Sequence, residues 1–327
     1  MTAVLDILSI TLPIFLIITL GFIAVKRAII NADAINGMGR YVLTFALPAL
    51  IFHALSGANL GAGDGLVFLL VYTGGSLLSF ALGFALVRYV FSSDKLFSSV
   101  QAMGMAMSNS AFFGYPVLSF LLHQVPAQGF TMTLITENLI MFPLGLFCLE
   151  FFSQQQQGAE RGRKALLRQL GAIFLRVVRS PIMLAIILGG LFSHFQWPVP
   201  KVIDDTMAIL LKSSAAVALF AIGGSLGGMR VAEVHPNMLV VALCKLILHP
   251  LCILLMMLLL PAMALEMQVA AVVLAAMPMF SVYPIITGQF GHGKFTSGAL
   301  VAAIVLSFFS ITLWLWLIRL YVPQLTG

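Results

Sequence analysis

The chain has 327 residues, of which 61% are hydrophobic and only 9% charged, with a formal net charge of +6. A soluble domain of this length is nearer half apolar and a quarter charged. There is too little charge here to coat a water-exposed surface, so the chain must find most of its solvent in lipid. The positive excess does not point to nucleic acid, because Lys and Arg gather in short stretches between apolar runs, the pattern of an oriented membrane protein.

A crossing needs about 20 mostly apolar residues. Such runs predict spans at 5–25, 38–57, 65–90, 96–122, 127–152, 180–195, 204–228, 237–260, 264–290 and 296–320. The first run, Leu5 to Val25, reads as a helix and not as a signal peptide: it has Asp6 in place of a positive n-region, and Lys26 and Arg27 follow the run. The fourth span holds Gln101, Ser108, Asn109 and Ser110, then Tyr115 and Pro116; the fifth holds Glu137. The segment 153–179 is Gln-rich and then basic, with Arg161, Arg163, Lys164 and Arg168, and reads as a solvated linker touching anionic headgroups. The sixth span is short, and the seventh opens on Asp204 and Asp205 and contains Lys212. Lys245 and His249 lie in the eighth, and Pro278, Ser281, Tyr283, Pro284, Thr287 and Gln289 in the ninth. The cysteines, Cys148, Cys244 and Cys252, all sit in apolar spans, which gives neither a disulfide framework nor a CxxC metal spacing.

Alternating these spans from an outer N-terminus puts Lys26, Arg27, Arg40, Arg88, Lys95, Arg161, Arg163, Lys164, Arg168, Arg176, Arg179, Arg230 and Lys294 inside, against Lys201 and Arg319 outside. The asymmetry predicts both termini on the outer, periplasmic side of the cell's inner (plasma) membrane. The linker also centres an internal repeat. Phe112-Phe113-Gly114-Tyr115-Pro116 and Phe280-Ser281-Val282-Tyr283-Pro284 share Phe-x-x-Tyr-Pro at an offset of 168 residues. A similar offset sets Phe45–Pro48 opposite Ser214–Val217, and Gly21-Phe22 opposite Gly190-Leu191. Each unit has five spans, an odd number, so the second is upside-down relative to the first, a recurrent transporter architecture. The expectation is an all-α integral membrane domain with two inverted five-helix repeats, 1–152 and 180–327, joined by the linker 153–179.

Prolines well inside spans 4 and 9 free backbone groups that lipid cannot satisfy. Interruptions at matching places in two halves point to a transporter site, expected near Pro116 and Pro284. The plain alternative is an ordinary proline kink. The candidate binding residues are Asn109, Ser110, Tyr115, Pro116, Ser281, Tyr283 and Pro284. Asn109 offers two donors and an acceptor, or else a helix–helix hydrogen bond. Among ionisable groups in spans, Lys245 and Lys212 outnumber Glu137, which suits an anionic substrate. The bland readings are a Lys245–Glu137 or Lys212–Asp205 pair and snorkelling. Glu137 is also a candidate coupling residue, able to carry a proton. His53 and His249 read as packed, hydrogen-bonded residues. Metalloprotease, hydrolase and phosphate-loop signatures are missing, so no enzyme and no cofactor are expected.

The residues also carry a resemblance. Phe45-Ala46-Leu47-Pro48-Ala49-Leu50-Ile51-Phe52, Asn109 followed by Gly114-Tyr115-Pro116, and Lys245-Leu246-Ile247-Leu248-His249-Pro250 resemble, in order, motifs of the auxin efflux carrier family. The short central loop is similar to its bacterial organic-acid permeases of the malonate type. The resemblance implies a ten-helix fold like that of bile acid symporters, with a scaffold domain packed on a transport domain of crossing, broken helices 4 and 9. It implies that Asn109 meets a substrate carboxylate at the crossover. Val282, beside Ser281, stands where many bacterial members carry a second amide, and Glu137 is unusual beside the commoner polar position of Asn138. The expected partners are a small organic anion and membrane lipid, with a homodimer as candidate assembly and a proton or sodium as candidate coupling ion. The rival readings are a sodium-coupled symporter of amphipathic organic anions and a non-transporting sensor or channel.

Overall fold

A computed structural model of the chain describes residues 2–56, 64–122, 125–156, 171, 175, 178–228 and 236–322. Arg161, Arg163, Lys164, Arg168, Arg176 and Arg230, and with them most of the expected linker, lie outside the described residues. The described chain is helical apart from one isolated bridge. In order, α1 is Thr2–Lys26, α2 Ala32–Ser56, α3 Asp64–Val90, α4 Lys95–Ala106, α5 Ser110–Leu121 and α6 Ala127–Gln156. Then come α7 Pro181–Phe195, α8 Lys201–Gly228, α9 Pro236–Leu259, α10 Leu265–Ala275, α11 Tyr283–Gly288 and α12 Gly293–Tyr321.

Seven of these among the described residues, α1 from Leu8, α2, α3, α6, α8, α9 and α12, are long and apolar enough to cross a membrane. The shorter apolar helices are α5, α7 and α10. This is the architecture of a multi-pass membrane protein. Where runs at 96–122 and 264–290 predict spans, the helix stops and restarts, between Ala106 and Ser110 and between Ala275 and Tyr283.

The prolines shape the helices in a way that spacing alone does not announce. Val42–Ala46, Ser110–Gly114, Thr136–Met141 and Cys244–Leu248 form π-helical turns. Each is followed, two positions on, by a proline: Pro48, Pro116, Pro143 or Pro250. Proline has no N–H, and its ring would strike the carbonyl four residues back. A wider turn moves that carbonyl aside, and the residue before each proline bonds five residues back, as Tyr115 N–H does to the Ser110 carbonyl. The unwound backbone therefore lies upstream of the prolines, at 107–109 and 276–282, while Pro116 and Pro284 sit within resumed helix. A proline in the first turn, as at Pro284, forfeits no helical bond.

Two groups of helices pack together. In the first, α1 meets α8 and α7 meets α2. The α1–α8 approach is backbone to backbone: a Cβ at Gly21 would strike the Phe220 carbonyl, and one at Gly223 the Ile18 carbonyl. Phe52 and Phe192 stack edge-on at 5.3 Å between α2 and α7. His53 Nδ1 pairs with Asp204 Oδ1 at 2.7 Å, tying α2 to α8. In the second group α3, α6, α9 and α12 enclose α4 and α10. Every residue from Ser98 to Ser110 and from Val269 to Phe280 is buried. Irregular backbone at membrane depth is tolerated only when covered by protein or lining a cavity; the first interruption is covered throughout and the second as far as Phe280, while Ser281 is half-buried and Val282 is exposed.

Candidate functional site at the paired helix interruptions

The two interruptions meet. Ser108 and Met279 form an isolated antiparallel bridge. Asn109 N–H donates to the Pro278 carbonyl at 2.9 Å, and Asn109 Nδ2 donates to Ser281 Oγ at 2.7 Å. Backbone donors freed by the break in one segment thus find acceptors in the other, which answers the satisfaction demand that lipid imposes. Asn109 is 4% exposed. Its own carbonyl accepts from the N–H groups of Phe113 and Gly114 at 2.9 and 3.1 Å, closing the first turn of α5. α5 begins at Ser110, so the positive end of its dipole lies next to Asn109.

Two polar chains flank the bridge. In the first, the Glu137 carboxylate accepts from Ser110 Oγ at 2.5 Å and from the Tyr72 hydroxyl at 3.4 Å. Tyr72 also reaches Ser108 Oγ at 3.5 Å. In the second, Lys245 Nζ donates to the Ala275 carbonyl at 2.6 Å and pairs with His249 Nδ1 at 2.9 Å, while His249 Nε2 pairs with Ser76 Oγ at 3.0 Å. A charged ammonium has no acceptor to offer, so with Lys245 charged it is the Nδ1 lone pair of His249 that faces Lys245, which leaves Nε2–H for Ser76. Ala275 is the last residue of α10, so Lys245 caps the negative end of a broken helix. The π-turns supply the geometry, since Ser110, Glu137 and Lys245 all stand in them. Glu137 and Lys245 do not form an ion pair with one another; the ion pair found among the described residues is His53–Asp204.

The structure brings Asn109, Ser110, Glu137, Lys245 and Ser281 together around the bridge. Tyr115 is half-buried on α5 with its ring 5.3 Å from Phe130, and Pro116 is buried one position on. Tyr283 is fully buried and spends its hydroxyl on the Val100 carbonyl at 2.8 Å, fastening α11 to α4. Pro284 is buried in the first turn of α11. Lys212 stands apart: it is exposed on α8, outside this cluster. Sequence reasoning passed over Tyr72 and Ser76 of α3. Their signal was the helical spacing of Tyr72, Ser76 and Ser79, all buried, along an otherwise apolar run.

Comparison with known proteins comes to the same kind of molecule. A family model described as "Membrane transport protein" matches residues 6–315. The chain is 27% identical over 320 residues to a protein of Escherichia coli K12 named "Uncharacterized transporter YfdV", covering 94% of this chain and 96% of that one. It is 25% identical over 317 residues to a Rhizobium meliloti protein named "Putative malonate transporter", covering 96% of each. It is also 27% identical over 224 residues to the "Lysosomal cholesterol signaling protein" of Mus musculus, covering 66% of this chain and 25% of that protein.

Proposed function

Because the chain belongs to the auxin efflux carrier family of membrane transport proteins, and is therefore a membrane transporter, we propose that it moves a small organic anion across a bacterial inner membrane. The substrate class is a mono- or dicarboxylate of the malonate type. The observation that carries this reading is the Asn109–Ser281 contact across the paired interruptions, with the α5 N-terminus beside it. A half-helix N-terminus and a neutral amide are groups that attract a carboxylate without holding it by a full charge. Lys245 adds a buried cation to the same neighbourhood. The name of the Rhizobium meliloti relative agrees with the substrate class.

Ten crossings follow if α4–α5 and α10–α11 each count as one broken span and α7 as a short one. Two inverted five-helix repeats then set the broken spans at equivalent places, and alternating access moves the crossover against the α1–α2–α7–α8 group. Both termini are periplasmic. Glu137 is the coupling group if uptake is proton-driven. Export needs no coupling, since a membrane potential favours anion efflux by about 2.3 kcal/mol per charge per 100 mV.

The test is counterflow of labelled malonate in proteoliposomes of purified protein. Saturable exchange accelerated by malonate on the far side supports the reading. A flux that does not saturate marks a channel, and no flux for malonate or related acids marks a sensor.

A further inference from the structure

Gln101 stands on α4, is 1% exposed, and its Nε2 has no hydrogen-bond partner. α4 ends five positions on, at Ala106, and Ser108 opens the crossover just beyond, so the Gln101 face of the helix lies one to two helical turns upstream of it. The flanks of that face are fixed by close contacts. On one side a Cβ at Gly104 would press on the Tyr283 ring, and the Val100 carbonyl holds the Tyr283 hydroxyl, so α11 covers it. On the other, Met105 and Ala102 lie against Gly83 of α3. Gln101 occupies the strip between these contacts.

An amide N–H taken out of water and left unpaired bears its full desolvation penalty. The residues beside it in the chain, Val100, Ala102, Met103 and Met105, are buried apolar groups, and no hydrogen bond among the described residues engages its amide nitrogen. Such a group is kept when a ligand satisfies it. We propose that Gln101 is a further substrate-binding residue, whose side-chain amide donates to the carboxylate of the organic acid on its passage between the Asn109 crossover and the membrane face where α4 begins. The chemistry suits a transit site: a neutral donor bonds a carboxylate without the fixed charge that would trap it. The proposal rests on the organic-anion reading of the crossover and adds to it a second station along α4.

Gln101→Met removes the amide at almost unchanged length, and Gln101→Glu opposes an anion. Malonate counterflow in proteoliposomes and thermal unfolding of the purified protein are measured for both, beside Asn109→Leu. Gln101→Met is expected to keep or raise the unfolding midpoint, by up to a few degrees, while raising the malonate KM roughly tenfold to a hundredfold. Gln101→Glu is expected to lose more at neutral pH. An unchanged KM in Gln101→Met, or a midpoint lowered by a few degrees, overturns the proposal, the latter because the amide is then partnered in the resting protein by water. Loss in Asn109→Leu with normal exchange in Gln101→Met defeats this proposal alone. Normal exchange in both, or no malonate exchange by the unaltered protein, defeats the crossover reading and this proposal with it.

Discussion

Lys245 caps α10 from another helix: its Nζ donates to the Ala275 carbonyl at 2.6 Å, across 30 positions of sequence. The ammonium is fully buried, and its other close partner is His249 Nδ1. The cation therefore holds the end of a broken helix in place, besides adding positive potential to the site. Lys245→Met takes the charged donor away from that carbonyl, which costs about 1.5–3 kcal/mol. Adding Glu137→Gln should recover only a minor part of the loss, because the group that loses its donor is the carbonyl and not the carboxylate. Thermal unfolding of the single and double variants checks this. Full recovery in the double variant would show that charge pairing, and not capping, is what Lys245 contributes.

Much of this arrangement was legible in the sequence, and the rest was not for identifiable reasons. Pro116 and Pro284 marked the helices that break, because they share a Phe-x-x-Tyr-Pro motif at matching places in the two halves. They did not mark the right residues: a proline is accommodated by a π-turn before it or by a place in the first turn, so the backbone unwinds earlier, at Ser108 and Asn109, where side chains can replace helical bonds. The partner of Lys245 was hidden because it is a main-chain carbonyl, and every residue type carries one. Tyr72 was overlooked because an aromatic in a span reads as lipid-facing or packed until its hydroxyl is seen beside Glu137.

Glu137 accepts from Ser110 and Tyr72, contacts that Glu137→Gln keeps through its amide oxygen. The amide cannot carry a proton. If Glu137 couples transport to protons, the variant should lose uptake driven by a pH gradient, down to background, while malonate counterflow, which needs no net proton movement, persists. Proteoliposomes with and without an imposed gradient separate the two. Gradient-driven uptake at the normal rate in the variant excludes Glu137 as the coupling group.

The end of α6 provides a topology test. Gln155 is exposed in the last turn of that helix, and the basic-residue asymmetry places it in the cytoplasm. Gln155→Cys, in a background without Cys148, Cys244 and Cys252, should react with a membrane-impermeant maleimide only after the cells are permeabilised. Labelling in intact cells would invert the whole orientation.

His292, at the start of α12 and outside the spans, stacks on Phe97 at 4.9 Å. Burial holds its imidazole below the ordinary histidine range, with Asp94 opposing. The folded protein therefore binds this proton less readily than the unfolded chain, whose histidine titrates near about 6.5. Stability from this residue is complete above that value and falls as the pH drops below it. His292→Phe keeps the stack and removes the titration, so the difference in unfolding midpoint between variant and parent should grow in the variant's favour from about pH 6.5 downward. A difference independent of pH would place the acid sensitivity elsewhere.

Asn109 offers the sharpest test of the binding site, since it joins the two interruptions through its backbone N–H and its side-chain amide at once. Asn109→Leu preserves volume, leaves the bond to the Pro278 carbonyl intact, and removes only the side-chain hydrogen bonds. Losing one to a carboxylate costs about 1.5–3 kcal/mol, roughly tenfold to a hundredfold in affinity. The Ser281 contact complicates this, because the same substitution also loosens the crossover. Ser281→Ala separates the two effects: it deletes the Asn109–Ser281 bond while leaving the amide free for substrate. If the contact is structural, Ser281→Ala and Asn109→Leu should impair malonate exchange alike; if Asn109 meets the carboxylate, Ser281→Ala should be much the milder. Asn109→Asp adds the electrostatic arm. It keeps the shape but sets a negative charge against the anion, so exchange should fall below that of Asn109→Leu at neutral pH and recover in part in acid as the new carboxyl protonates. Normal malonate exchange by a folded Asn109→Asp protein at neutral pH would mean that the anion binds elsewhere, because no carboxylate site tolerates a second carboxylate at its centre without loss.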